Sequence, residues 1–134
     1  MGESSFEVIG ELARFRLTGE QVLESGVRQI ADAIALTRDA GLDKLMVDIT
    51  TITGVEPPSV LMRYWLMGEF AKVGRSSVRM AMVVRPEFID ADRIGVAAGL
   101  NAGFRSNVFE TEAQALNWLL GHGGHVPSPL SPPA

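Results

Sequence analysis

The side chains best suited to chemistry lie in one short segment, between residues 48 and 59. Asp48 closes an apolar run, Thr50 follows it, and the chain turns through Gly54 to Glu56, two prolines and Ser59. A carboxylate at a strand end can act as a general acid or base. It can also simply accept hydrogen bonds from loop N–H groups. For Asp48 we favour this structural interpretation, because a single carboxylate without a partner motif is weak evidence for catalysis.

Other groups that could support catalysis are few. The chain has no cysteine, which excludes disulfides, thiolate nucleophiles and thiolate metal ligands. Its two histidines, His122 and His125, occur in an HGGH stretch without a carboxylate beside them. Neither a metal site nor a Ser-His-Asp mechanism is therefore expected. No glycine-rich phosphate-binding pattern is present. We expect no catalytic residue, no metal, no cofactor and no enzymatic activity.

Length and composition indicate one globular domain. The 134 residues are 46% apolar and 21% charged, which is typical of a soluble protein. The net charge of −4 and the scattered basic residues argue against nucleic-acid binding. We find no signal-peptide pattern and no apolar run of about 18 residues. We therefore expect a cytoplasmic protein without a membrane span.

The N-terminal third predicts a hairpin followed by a helix. Residues 5–19 contain two short runs of alternating apolar residues, with Gly10 as the first residue of a two-residue turn. Thr18 and Gln21 have the spacing of a capping box, which predicts a helix that begins at Thr18 and ends at Gly41.

Strands and helices alternate along the rest of the chain. We predict strands at residues 44–50, 76–84 and 106–110. We predict helices that start after Pro58 and end at Gly74, that start near Asp90 or Asp92, and that run from Thr111 to Gly121. This order predicts a single α/β domain over residues 1–121, with a mixed, mostly parallel sheet, an N-terminal β-hairpin and helices on the faces of the sheet. Residues 122–134, rich in proline and glycine, are predicted to form a flexible tail.

The helix after Pro58 is apolar on almost every side, more than the usual stripe of a surface helix. One explanation is that the helix is covered on both sides. The other is that Met62, Tyr64, Trp65 and Met67 form an interface or a ligand groove, since exposed aromatic residues mark binding surfaces.

Gly95, Gly99 and Gly103 recur every four residues in the small-residue segment that follows. This spacing predicts a face that packs closely against a neighbouring element. The alternative is a backbone surface that touches a ligand or a second subunit.

Three stretches are informative together: the strand ending in DITTITG, the helix segment RYWLMGEFAKVGRSSVRMAMVVRPE and the terminal VFETEAQALNWLL. They resemble the SpoIIAA-like, or STAS/Sec14-like, family of small bacterial proteins. The resemblance extends to Leu120. It implies an STAS/SpoIIAA-like fold.

In the related anti-sigma-factor antagonists, a serine within a segment resembling D-L-S-x-V-x-x-x-D-S-S-G is phosphorylated by a partner kinase. The equivalent segment here reads DITTITGVEPPSV, in which Asp48 and Thr50 match the opening. The D-S-S-G element is replaced by residues 56–59, so Ser59 is the nearest candidate for phosphorylation and the switch motif is not intact. Sec14-like relatives imply a different use, a groove for a lipid or other apolar small molecule.

These observations predict a non-enzymatic protein-interaction or regulatory module. We expect it to form a homodimer or to bind a protein partner. The alternative is a carrier or sensor of an apolar small molecule, bound beside the helix at residues 59–73.

Overall fold

The computed structural model describes residues 2–74, 77–89 and 93–121. Over these ranges it contains strands β1 (Glu3–Ile9), β2 (Leu12–Glu20), β3 (Lys44–Thr53), β4 (Arg79–Val83) and β5 (Ser106–Phe109), and helices α1 (Leu23–Asp39), α2 (Val60–Gly74), α3 (Ile94–Asn101) and α4 (Glu112–Leu120). The predicted order of elements is confirmed. The predicted tail, residues 122–134, lies outside the described residues.

The five strands form one sheet in the order β1-β2-β3-β4-β5. β1 is antiparallel to β2, and the other neighbours are parallel. Gly10 has φ 61 in the turn between β1 and β2, a value that glycine adopts without strain. A helix connects each parallel pair, so the predicted mixed α/β fold with an N-terminal hairpin is confirmed.

Helices pack on both faces of the sheet. Along β3, Leu45 and Val47 join a large apolar cluster beneath α1, α2 and α3. Met46 points to the opposite face and packs with Ala115 and Leu119 of α4. A strand covered on both faces needs apolar residues at successive positions, which explains the continuous apolar run of β3.

Helix α1 begins later than its sequence pattern predicts. Thr18 belongs to β2 and pairs with Thr51, and the backbone N–H of Gln21 donates to the Thr53 carbonyl at 2.9 Å. The capping-box prediction is therefore wrong, because the parallel ladder with β3 holds these residues in an extended conformation. The helix starts at Leu23.

Helix α4 begins and ends as predicted. The Thr111 hydroxyl accepts a hydrogen bond from the Gln114 backbone N–H at 3.2 Å, and Gly121 ends the helix with φ 70. No helix in the described ranges combines the length and apolar character needed to cross a membrane.

Candidate functional site

The two halves of α2 have different environments. Met67, Phe70, Ala71 and Gly74 in its C-terminal half are buried. Gly74 allows a close approach, since a Cβ there would lie 2.8 Å from the ring of Phe104. This half of the helix is core, which accounts for part of its unusual apolar content.

The N-terminal half of α2 exposes a group of large apolar side chains, which we call the α2 patch. Its members are Val60 (49% exposed), Leu61 (81%), Tyr64 (52%) and Trp65 (40%). They lie at positions i, i+1, i+4 and i+5 of one helix, so they are neighbours on its surface. Contiguous exposed apolar residues of this kind mark interaction surfaces more than isolated ones do.

The four residues predicted for an interface or groove are divided between two locations. Tyr64 and Trp65 lie in the α2 patch, and Met62 beside them is half-buried. Met67 is only 5% exposed and lines a partly open cavity. Sequence reasoning missed Leu61, although its spacing of four from Trp65 was a usable signal.

The cavity lies between α2, α1 and the sheet and has a volume of about 130 Å³. Apolar side chains form most of its wall, including Leu17, Val27, Ile49 and Leu66. An engineered cavity of about 150 Å³ holds benzene, whereas drug-sized ligands occupy roughly 300–1,000 Å³. This cavity therefore fits a ring-sized group. Its described polar lining consists of Gln21, Arg63, Arg93, Ser106 and Asn107.

The predicted loop residues after Asp48 mainly order the backbone. Asp48 Oδ1 accepts hydrogen bonds from the Thr50 backbone N–H at 2.9 Å and from its hydroxyl at 2.7 Å. Gly54 has φ 85, and a Cβ there would lie 2.9 Å from the Gln21 carbonyl oxygen. Glu56 is exposed. Asp48 and Thr50 lie within β3, which continues to Thr53, so the prediction that they form a loop at the strand end is wrong. The Asp48 carboxylate instead stabilises the strand where its register with β2 shifts.

Ser59 caps α2. Its hydroxyl oxygen accepts a hydrogen bond from the Met62 backbone N–H at 3.2 Å, the usual geometry of a serine before the first turn. The side chain is also exposed.

Arg85, which sequence reasoning missed, ties the end of β4 to the end of β3. Its Nη1 donates to the carbonyl oxygens of Thr50 and Ile52 at 3.1 and 2.7 Å, and its Nε donates to Glu87 at 2.9 Å. The carboxyl ends of neighbouring parallel strands meet at one edge of the sheet. The sequence signal that could have identified Arg85 is the position of a basic residue directly after β4.

A second missed group lies on the α4 face, opposite the cavity. Arg16 on β2 donates to both carboxylate oxygens of Glu112 at 3.1 to 3.2 Å. Arg14 also reaches Glu112, at 3.3 Å, and binds Glu7 at 2.6 Å. Glu112 stands in the first turn of α4, where a negative charge is favourable. These bonds hold α4 against the sheet.

Asp48 and Glu112 behave as a coupled pair. A hydrogen bond to Asp48 raises the pKa of Glu112, burial adds to the effect, and Arg16 opposes it. Burial alone would raise the pKa of Asp48, but hydrogen bonds from Glu112 and Thr50 outweigh burial and lower it. The pKa values of Asp48 and Glu112 therefore shift in opposite directions. Within the described ranges no three His, Asp or Glu side chains are grouped to hold a metal.

The three glycines predicted for a close-packing face differ in role. At Gly99 a Cβ would lie 2.7 Å from Met67 Cε and 3.0 Å from the Phe104 carbonyl oxygen, so the helix does pack closely there. Gly103 lies beyond the end of α3 with φ 84, and a Cβ there would meet nothing within 4 Å. It ends the helix, because Phe104 N–H bonds to the Gly99 carbonyl at 2.7 Å across it. Gly95 lies in the first turn of α3.

Solved structures provide the comparison for this chain. No protein-family model matches it, and neither does any curated protein. An anti-sigma factor antagonist from Mycobacterium paratuberculosis is 18% identical, with 90% of this chain and 95% of that chain covered and a TM-score of 0.56. An uncharacterised DUF3478-family protein with a SpoIIAA-like fold, from Shewanella loihica PV-4, is 18% identical, with 88% and 93% covered and a TM-score of 0.51.

The chain has a SpoIIAA-like fold. This confirms the resemblance seen in the sequence. At 18% identity the likeness establishes the architecture only, since a fold can serve many functions. The features of this chain that bear on its function are therefore the α2 patch, the cavity and the segment at residues 48–59.

Proposed function

We propose that this chain is a non-enzymatic regulatory module that acts in the cytoplasm by binding a protein partner, and that it also self-associates. The observation that carries the partner-binding role is the α2 patch, in which Leu61 is 81% exposed. Fully burying a leucine contributes about 1.5–3 kcal/mol. Trp and Tyr are also common among the residues that dominate interface energies.

The similar structure named as an anti-sigma factor antagonist supports a regulatory role. The family's phosphoserine motif is not intact here, and the Ser59 hydroxyl serves α2 as a cap. We therefore propose that binding depends on the α2 patch rather than on a phosphoserine switch. Phosphorylation of Ser59 would still be compatible with the positive end of a helix dipole, so phosphosite mapping after incubation with cellular kinases is the direct test of a switch.

A photo-crosslinking experiment tests the partner surface. A photoreactive amino acid replaces Leu61 in one chain and Leu36 in another, each expressed in cells of the natural source. Leu36 is a matched control because it is an apolar residue 51% exposed on α1. We expect a discrete adduct of one mass from position 61 and none from position 36.

The adduct at position 61 should disappear when Trp65→Ala is added, while circular dichroism and thermal stability stay close to those of the parent chain. Equal labelling at both positions, or an adduct that survives Trp65→Ala, would mean that the α2 patch is not a specific binding surface.

The cavity supports a second candidate, binding of an apolar small molecule. The cavity has a volume of about 130 Å³ and a mostly apolar wall. It therefore suits a ring-sized group rather than an enclosed lipid chain. Native mass spectrometry of protein purified from its source should show a small bound mass, and added indole should raise the melting temperature. A ligand-free protein whose stability indole does not change would remove this candidate.

A further inference from the structure

Strand β1 forms one edge of the sheet. It lies outermost in the strand order, and no described residue pairs with its outer side. Of its seven side chains only Phe6 is partly buried, and Val8 is 54% exposed. The outer backbone groups of β1 are therefore accessible to another strand.

Most of the features that normally prevent edge pairing are missing from β1. Edge strands are usually short, bulged, interrupted by proline, or lined with charged side chains, lysine above all. β1 has seven residues with no lysine or proline and with two charged residues, Glu3 and Glu7, and its register with β2 is regular from Glu3 to Ile9. The opposite edge, β5, has only four residues.

The hairpin geometry determines which backbone groups point outward. Ile9 and Leu12 flank the two-residue turn, and such flanking residues form a hydrogen-bonded pair. Hydrogen-bonded and non-hydrogen-bonded residues alternate along an antiparallel strand. Ser4, Phe6 and Val8 therefore direct their N–H and C=O groups away from β2.

Among the two-fold registers that pair at least five residues of β1, the charges select one. Two identical antiparallel strands related by a two-fold axis must place one residue opposite its own copy. An axis at Ser5 puts Glu3 opposite Glu7, and an axis at Glu7 puts that residue opposite itself; both face like charges. An axis at Phe6 puts Glu3 opposite Ile9 and Glu7 opposite Ser5, so no like charges face each other.

We propose that a second copy of this chain binds β1 of the first in this Phe6-centred antiparallel register. The product is a two-fold symmetric dimer with one continuous ten-stranded sheet. Ser4 of each copy pairs with Val8 of the other, and the two Phe6 rings meet. Glu7 keeps its 2.6 Å bond to Arg14, which offsets its charge near the axis. The inference rests on the self-association part of the proposed function and is independent of the α2 patch.

Cysteine cross-linking tests the register, and the absence of natural cysteine makes the result unambiguous. In the Phe6-centred dimer, residues 4 and 8 of different copies are opposed with Cα atoms about 5.5 Å apart, within disulfide range. The Cα atoms of residue 8 in the two copies, in contrast, are about 13 Å apart, because four residues of strand separate them. The double variant Ser4→Cys with Val8→Cys should give a disulfide-linked dimer under mild oxidation, and each single variant should not.

Sedimentation velocity over a range of concentrations tests the dimer itself. Val8→Pro removes an outward N–H and leaves the bonds to β2 intact, so it should weaken dimerisation about tenfold or more through the two symmetry-related hydrogen bonds lost. Wild-type protein that stays monomeric, or cross-links from single variants as strong as from the double variant, would overturn the inference. A dimer lost in Trp65→Ala but kept in Val8→Pro would also overturn it and place self-association on the α2 patch.

Discussion

Gly99 and Gly68 allow the same substitution to be made in two different surroundings. Both lie in helices, Gly99 in α3 and Gly68 in α2. Alanine is favoured over glycine in a helix interior by about 1 kcal/mol. At Gly68 a Cβ would meet nothing within 4 Å, so Gly68→Ala should raise the free energy of unfolding by about 0.5–1 kcal/mol.

Gly99→Ala brings the same gain in helix stability as Gly68→Ala, but it adds a steric cost. Its Cβ would lie 2.7 Å from Met67 Cε, the end of a flexible side chain that can move aside. It would also lie 3.0 Å from the Phe104 carbonyl oxygen, which is backbone and yields little. Overpacking of this kind costs about 1–3 kcal/mol. We therefore expect Gly99→Ala to leave the free energy of unfolding unchanged or lower it by up to about 2 kcal/mol.

Urea denaturation of the two variants and the wild type measures the difference directly. The two variants should differ by about 1–3 kcal/mol, with Gly68→Ala the more stable, and with similar denaturant m-values. If Gly99→Ala stabilises the protein as much as Gly68→Ala does, the close packing of Gly99 against the Phe104 carbonyl oxygen is refuted.

Three further predictions concern the segment from Asp48 to Ser59. Gly54→Ala should lower the free energy of unfolding by about 1–3 kcal/mol, because φ is 85 and its Cβ would lie 2.9 Å from the Gln21 carbonyl oxygen; denaturation equal to wild type would contradict this. Ser59→Ala should cost about 1 kcal/mol through loss of the α2 cap, and Ser59→Asp, which can also cap, should recover most of it; equal stability of all three proteins would disprove the capping role. Asp48→Asn should flatten the pH dependence of stability. The raised pKa of Glu112 means that its stabilising contribution is present below its unfolded pKa and is lost as pH rises through the folded value. The lowered pKa of Asp48 means that its contribution is present above its unfolded pKa and is lost as pH falls. The substitution removes both effects, and carbon-detected NMR titration should show a lower pKa for Glu112; an unchanged Glu112 pKa would show that the two carboxyl groups are not coupled.

The order of elements was accessible from sequence because it depends on local signals. The glycine at the first turn position predicted the β1–β2 hairpin, and Thr111 with Gln114 predicted the start of α4. The same spacing at Thr18 and Gln21 gave a wrong start for α1. The difference is that Thr18 pairs with Thr51 of β3, a contact between residues distant in sequence that a local motif does not record.

The candidate sites depended much more on tertiary contacts. The sequence identified α2 as too apolar for an ordinary surface helix, but it could not divide the helix into a buried half and an exposed patch. Which half is exposed depends on how α1 and α3 pack against α2, and in the folded chain Met67 is buried whereas Leu61 is exposed. The bonds between Arg16 and Glu112 join residues 96 positions apart, and nothing local in either segment predicts them.

By itself the sequence determined the fold class, the absence of cysteine chemistry and the importance of the segment from Lys44 to Gly74. These follow from residue types and from periodicities of two and about 3.6, which the chain carries locally. The tertiary structure alone decided that Asp48 and Glu112 shift each other's pKa, that the apolar cavity lies on the opposite face of the sheet, and that no described strand pairs with the outer side of β1. Each of these depends on which elements become neighbours in space, and that is fixed by packing of the whole chain.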